Sequence, residues 1–286
     1  MRLELVSIAT ETYPLDGLFY QPAGGATAGA VLLMHGNCFN FYTGVMRFLP
    51  PALARLGYAC LAYNRRGHDV IATLNSRQPV GGAYQRVDEA IVDNNHAAAW
   101  LTARGFPAPI IIGHSNGGML GVRHVADHPE TPALVLLSAH RGGKDLARIA
   151  SANGLLAGER YEEIVGQARD LVAAERGDEL LLLPGWWYVV SAATFLDHAG
   201  ELPDIVALAP RIRCPVLYVR GDREPPALYP AEEFAARAGG LCEARVVADC
   251  DHFYGGRADA ICDLVGTWLE QNLAKVQGHA KATGRS

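Results

Sequence analysis

An α/β architecture, a mostly parallel sheet of eight strands flanked by helices and carrying a helical cap, follows from three features of the sequence. Short apolar, β-rich runs alternate with helix-like stretches along most of the chain. One of those runs, Pro109-Ile110-Ile111-Ile112, passes through Gly113-His114-Ser115-Asn116-Gly117-Gly118 straight into a helical stretch, which is a sharp strand-to-helix turn. The alternation breaks once, for about 70 residues between positions 138 and 215, far too many for a simple crossover.

In chain order, strands are expected at 3–10, 15–21, 30–34, 59–63, 110–112, 133–138, 215–220 and 244–248. The first two read as an antiparallel pair, and the later central ones are apolar enough to be covered on both faces. Helices are expected at 46–56, 82–104, 117–127, 231–238 and 258–273, and the spacing of Val87, Ile91, Ala98, Trp100 and Leu101 is helical. The long insertion carries helix-like segments at 145–152, 161–176 and 191–198, the last with Ser191 as N-cap, and also holds Trp186, Trp187 and Tyr188. It reads as a cap over the C-terminal edge of the sheet, where open α/β folds place their sites. The core then comprises 1–140 and 211–276 and the cap 141–210, while 277–286 reads as a polar, disordered tail. Gly24-Gly25 to Gly29 is a turn rather than a phosphate loop, because no strand-loop-helix context surrounds it.

Half of the 286 residues are hydrophobic and the formal net charge is −5, so there is no electrostatic reason to expect nucleic acid or an anionic membrane surface as a partner. The most apolar segment, 180–190, is too short to span a bilayer and is broken by Pro184-Gly185. No basic-plus-apolar leader opens the chain, and the six cysteines are scattered without a C-x-x-C pair. The expectation is a cytoplasmic protein with reduced, mostly buried thiols. No metal-ligand spacing is present and no cofactor is expected; a homodimer is left open.

The turn at Ser115 has the form of a nucleophile elbow. A serine forced toward positive φ brings the chain at positions −2 and +2 together, and Gly113 and Gly117 supply the room. Three further motifs accompany it: Met34-His35-Gly36-Asn37 closing the third strand, Asn64-Arg65-Arg66-Gly67-His68 after the fourth, and the pair Gly221-Asp222-Arg223-Glu224 and Asp251-His252-Phe253 closing the last two. With these in order, the chain resembles the α/β-hydrolase fold superfamily, serine esterase and lipase branch, across nearly its whole length. Asn64 stands where that superfamily's Asp-x-Arg-Gly turn has its Asp.

The resemblance implies a catalytic triad of Ser115, His252 and an acid. A serine hydroxyl needs a neutral imidazole to take its proton, and the imidazole needs a carboxylate to set its tautomer and stabilise the imidazolium. In the family the acid falls three residues after the strand-ending Gly, which is Glu224; Asp222 is the rival. The oxyanion donors implied are the backbone N–H groups of Asn116 and Asn37, with Cys38 as the alternative to Asn37. His35 is expected to brace its loop, His114 to pack, and Arg66 to bridge carbonyls or a carboxylate. Phe39 and Phe41 after the oxyanion loop, and Trp186, Trp187 and Tyr188 in the cap, are expected to contact substrate.

The function implied is hydrolysis of a carboxylic ester of a small or medium organic molecule through an acyl-enzyme. A thioesterase, amidase, peptidase or C–C bond hydrolase would use the same residues. A non-catalytic binding protein that kept the fold is a further alternative, against which an intact triad argues.

Overall fold

In a computed structural model of the chain, the described residues are 1–24, 27–73, 77–185 and 189–283, the side chains of 274–283 excepted. The chain opens with the antiparallel pair β1 (Arg2–Ile8) and β2 (Leu15–Gln21), followed by β3 (Gly29–Met34), α1 (Val45–Arg55) and β4 (Tyr58–Tyr63). A two-residue ribbon, β5 (Ala72–Thr73) with β6 (Pro79–Val80), leads to α2 (Val87–Thr102), β7 (Ile110–His114), α3 (Asn116–Asp127) and β8 (Leu134–Leu137). The insertion contains α4 (Leu146–Ala152), α5 (Tyr161–Ala173), a hairpin of β9 (Leu180–Leu182) and β10 (Val189–Ser191), α6 (Ala192–Gly200) and α7 (Ile205–Leu208). The chain then rejoins the sheet with β11 (Val216–Gly221), α8 (Ala231–Arg237), β12 (Cys242–Val247) and α9 (Ala258–Thr283).

Eight strands form one sheet in the order β1-β2-β4-β3-β7-β8-β11-β12, parallel from β4 to β12. The period of two along each strand divides the core into two layers. Ala30, Leu32 and Met34 of β3 pack with Ala97 and Leu101 of α2, Val122 of α3 and Phe234 of α8. Val31 and Leu33 face the other way, toward Leu49 and Leu53 of α1 and Ile261, Val265 and Trp268 of α9. A strand buried on both faces has no polar side, which is why these runs read as continuously apolar.

The insertion has a small core of its own, built from Ile164, Val165, Ala168, Leu181, Leu183, Val190 and Phe195. Ser191 caps α6, its Oγ accepting from Thr194 N–H at 3.1 Å. Where a helical insertion is expected, β9 and β10 are strands. Leu181 turns inward while Leu180 and Leu182 face solvent, a period of two that a run of four leucines hides. At α2 the helix begins at Val87, later than position 82, and Glu89 reaches back to accept from the N-cap Arg86 N–H at 3.1 Å. At the other end α9 continues to Thr283, into the segment expected to be a disordered tail. Extending a nucleated helix through residues such as Ala280, Lys281 and Ala282 costs little. Trp186, Trp187 and Tyr188, with Gly25 of the expected turn, lie outside the described residues.

Several histidines are buried without charge. Burial lowers His114 to about 3, His140 to about 3 and His124 to about 4. Each is neutral in the fold but takes up a proton near 6.5 when unfolded, so the unfolded state gains protons first as pH falls. Stability should therefore fall steadily from about pH 6.5 downward, by up to about 1.4 kcal/mol per pH unit for each such histidine. A thermal unfolding midpoint that stays flat from pH 7 to about pH 4.5 would contradict this burial.

Candidate active site

β7 runs in register between β3 and β8 and ends at the centre of the sheet's C-terminal edge. Ser115 follows at φ 55° and ψ −119°, its N–H still bonded to Leu137 O at 2.9 Å while its carbonyl already accepts from Gly118 and Met119 of α3. Such a backbone costs roughly 1–3 kcal/mol and persists only where neighbours impose it. The glycines make it possible. A Cβ on Gly113 would strike the Gly117 backbone, one on Gly117 would strike the carbonyl oxygens of Met34 and His35, and one on Gly118 would lie 2.5 Å from Ala139 Cβ.

The Ser115 Oγ lies 3.1 Å from His252 Nε2, and His252 Nδ1 lies 2.7 Å from Glu224 Oε1. A carboxylate only accepts, so Nδ1 carries the proton and Nε2 is left as an acceptor facing the serine. Glu224 is almost wholly buried, and its Oε2 accepts from Gly221 N–H and Ser138 O–H, both at 2.7 Å. Behind Ser138 stands the Tyr254 hydroxyl at 2.8 Å. Asp222, the rival acid, points elsewhere. Its carboxylate accepts from the backbone N–H groups of Asp249 and Cys250 at 2.9 and 3.0 Å, bracing the loop that carries His252. Asp251 closes the same loop onto Phe253 and Gly255 N–H, and Asp249 pairs with Arg223 and Arg257.

The loop after β3 turns from Gly36 to Phe39, with Cys38 at φ 56°. His35 Nδ1 donates to Gly36 O at 2.7 Å, and His35 Nε2 accepts from Arg65 N–H at 3.1 Å. This fixes the tautomer, and burial, with the charge of Arg65, holds the ring well below the ordinary histidine range. Pinning the Gly36 carbonyl also fixes the planar peptide whose other end is the Asn37 N–H. Asn116, the first residue of α3, has an N–H without an intrahelical acceptor. Asn37 and Asn116 both line the cavity onto which Ser115 opens. Cys38 is buried against the insertion's core and against Gly82, and burial, then Asp69, pushes its thiol up to about 12.

His114 donates to the His252 carbonyl at 2.9 Å, and Arg66 binds Asp93 through Nε and Nη2 at 2.9 and 2.7 Å, so both are structural as the sequence suggests. Phe39 reaches the cavity and packs on Phe253, their ring centres 5.7 Å apart. Phe41 does not. It meets Tyr42 edge-on and packs against the α1 and α9 layer, while its N–H donates to the Asn64 side chain at 2.9 Å.

The cavity holds about 110 Å³ and runs from Ser115 and His252 under the insertion, between Leu146, Leu156, Leu183, Phe195 and Leu202. Among the described residues, His140, His198 and Tyr229 bring polar groups to this apolar wall, and the sequence reading did not single them out. Burial keeps both histidines below the ordinary histidine range. His140 Nδ1 accepts from Gly142 N–H at 3.2 Å, which leaves the proton on Nε2. Its place just past Ser138, at the C-terminal end of β8, is a sequence signal that could have found it. Among the described residues no group of His, Cys, Asp or Glu could hold a metal ion, all six cysteines are free, and no helix is long and apolar enough to cross a membrane.

A family model described as the alpha/beta hydrolase family matches residues 31–264. No curated protein matches the chain significantly. Among solved structures, Est1E from Butyrivibrio proteoclasticus with ferulic acid bound superposes with a TM-score of 0.71 at 16% identity, over 94% of this chain and 99% of that one. A soluble variant of monoglyceride lipase from Saccharomyces cerevisiae, in complex with a substrate analogue, gives 0.69 at 15% identity over 94% and 95%. A Pyrococcus furiosus esterase gives 0.64 at 19% identity over 95% and 92%. At such identities the likeness is one of fold.

The glycine contacts are directly testable. Gly117→Ala should destabilise the protein by about 3 kcal/mol or more in urea denaturation, because backbone must move to admit the methyl group. Gly166→Ala, in the middle of α5 with nothing within 4 Å of the added Cβ, should be neutral or stabilising. Equal stabilities for the two variants would mean that the elbow does not abut β3 as described.

Proposed function

The chain belongs to the alpha/beta hydrolase family, and on that footing we propose that it is a serine hydrolase of carboxylic esters acting through an acyl-enzyme. The observation that carries this reading is the unbroken sequence of contacts Ser115 Oγ to His252 Nε2 to Glu224, opening onto an apolar cavity. His252 Nε2 takes the serine proton as Oγ attacks the ester carbonyl. The charge that develops on the carbonyl oxygen is received by the N–H groups of Asn37 and Asn116, the second at a helix N-terminus whose dipole has the right sign. The imidazolium, stabilised by Glu224, then gives its proton to the departing alkoxide. A water activated by the same imidazole releases the acid and regenerates Ser115.

The cavity favours an ester of a small or medium organic molecule with one apolar or aromatic part. Its size is of the order of an engineered apolar cavity of about 150 Å³ that admits benzene. The ferulic acid carried by Est1E is an aromatic acid of that kind. His140 Nε2–H offers this part a hydrogen-bond donor in surroundings where an unmatched polar group is costly.

A fluorophosphonate probe should label wild-type protein at Ser115. Ser115→Ala should lose about 10⁴–10⁶-fold in kcat on p-nitrophenyl esters with its unfolding midpoint unchanged. Retention of more than about a tenth of the activity would place the nucleophile elsewhere.

The acid is tested by a pair of isosteric changes. Glu224→Gln should lose about 10²–10⁴-fold in kcat, since the imidazolium loses its counter-charge. Asp222→Asn should keep kcat within about tenfold and show its effect in thermal stability, because it weakens two hydrogen bonds to the His252 loop. The opposite pattern would make Asp222 the acid and leave the Ser115–His252 pair untouched.

A further inference from the structure

Arg65 is among the largest wholly buried side chains of the molecule, and no carboxylate accepts a hydrogen bond from it among the described residues. Asp93 lies near enough for its charge to favour the guanidinium, but its hydrogen bonds go to the neighbouring Arg66. Asp93 Oδ1 takes Nε and Nη2 of Arg66, and Oδ2 takes the Arg66 N–H. Arg65 Nη2 instead donates to His35 O at 2.6 Å and reaches Asn116 Oδ1 at 3.4 Å, while its backbone N–H donates to His35 Nε2. Besides the Tyr63 hydroxyl, its contacts fall on the two chain segments that bear the Asn37 and Asn116 N–H groups. A guanidinium does not give up its proton inside a protein, so a permanent positive charge lies behind both.

Burying a charge that no carboxylate hydrogen-bonds is costly, and an apolar side chain of similar volume would serve folding as well or better. A residue stabilising a developing oxyanion has the opposite requirement: fixed positive potential, in a site closed to water, already in place before reaction. We propose that Arg65 is a positioning residue for the oxyanion site, holding the His35 and Asn116 segments in place and biasing both donors toward negative charge on the substrate carbonyl oxygen. The proposal rests on the reading of Asn37 and Asn116 as oxyanion donors. Arg65 acts only through them, and its effect is confined to the transition state, where that charge exists.

The test compares wild type with Arg65→Met and Arg65→Lys in three measurements: kcat and KM on p-nitrophenyl butyrate, the unfolding midpoint, and inhibition by benzyl trifluoromethyl ketone against benzyl methyl ketone. The trifluoromethyl ketone is captured by the serine as a tetrahedral oxyanion, whereas the methyl ketone reports ground-state binding. Arg65→Met should lower kcat by about 10–100-fold with KM within about threefold, somewhat less than loss of a whole donor. It should weaken the trifluoromethyl ketone by the same factor, leave the methyl ketone unchanged, and keep or raise the unfolding midpoint. Arg65→Lys should recover most of the kcat loss. If Arg65→Met does not fold, Arg65→Gln carries the same comparison.

A kcat within twofold of wild type, or a loss shared equally by both ketones and by Arg65→Lys, overturns the role of Arg65 and makes the residue structural. Either result leaves the serine hydrolase reading standing so long as wild type labels at Ser115 and binds the trifluoromethyl ketone. If wild type does neither, the hydrolase reading itself falls, and this inference with it.

Discussion

The backbone at Ser115 sits in a left-handed conformation that a serine adopts only under constraint, and the site is organised around the space this turn needs. β7 and α3 approach so closely at the turn that Gly113, Gly117 and Gly118 have no room for side chains. Gly117 in turn lies on the Met34 and His35 carbonyls, so the end of β3 and the loop after it are set by the elbow rather than by their own sequence. His35 continues the chain of consequence: its ring pins the Gly36 carbonyl and thereby the direction of the Asn37 N–H. The ends of two neighbouring strands, β3 and β7, thus bring the Ser115 hydroxyl and the residues Asn37 and Asn116 to one cavity.

The charges around that point are distributed to one end. His35, His114, His140 and His198 are all held below the ordinary histidine range, principally by burial, and so stay neutral. The acidic groups nearby are each committed: Asp222 and Asp251 to backbone N–H groups of the His252 loop, Asp93 to Arg66. Glu224 alone faces the imidazole of His252, and it is steadied on its far oxygen by Gly221 and Ser138. The guanidinium of Arg65 is buried against His35 O and Asn116 Oδ1.

What the sequence made legible was local in origin. The elbow is spelled by six consecutive residues, and the alternation of apolar runs and helices follows from burial of the sheet on both faces, so the eight strands of the main sheet could be read directly. Glu224 against Asp222 could not be decided locally, because the answer depends on where the loop after β12 returns. The same return gives Asp222 the loop to brace and Glu224 the imidazole to meet. Phe39 and Phe41 look alike in sequence, yet one faces the cavity and the other the α1 layer, a difference set by the turn at Gly36–Phe39 and by the Asn64 side chain. His140 and His198 went unnoticed for a similar reason, since a histidine becomes part of a pocket only when an element distant in sequence closes over it. The leucines at 180–183 carried composition without periodicity, and their strand pairing depends on β10.

The attachment of the insertion brings the pocket's roof close to the segment that carries Glu224. The insertion leaves the sheet at the end of β8 and returns at β11, which are neighbours, so both of its ends spring from strands that carry Glu224 or its support, Ser138. Arg141 N–H donates to Leu228 O at 2.8 Å and Arg141 O accepts from Ile205 N–H at 3.0 Å, which stitches the base of the insertion to the segment after Glu224. On its far side it is tied to the start of α2, where Ser191 N–H donates to Ala83 O and Val87 N–H donates to Asp197 Oδ2, each at 2.8 Å. A roof anchored at both ends in this way shares its base with the segment that follows Glu224. Changes in the insertion's inner side chains can alter what fits the cavity, while its stitched base borders the segment that carries Glu224.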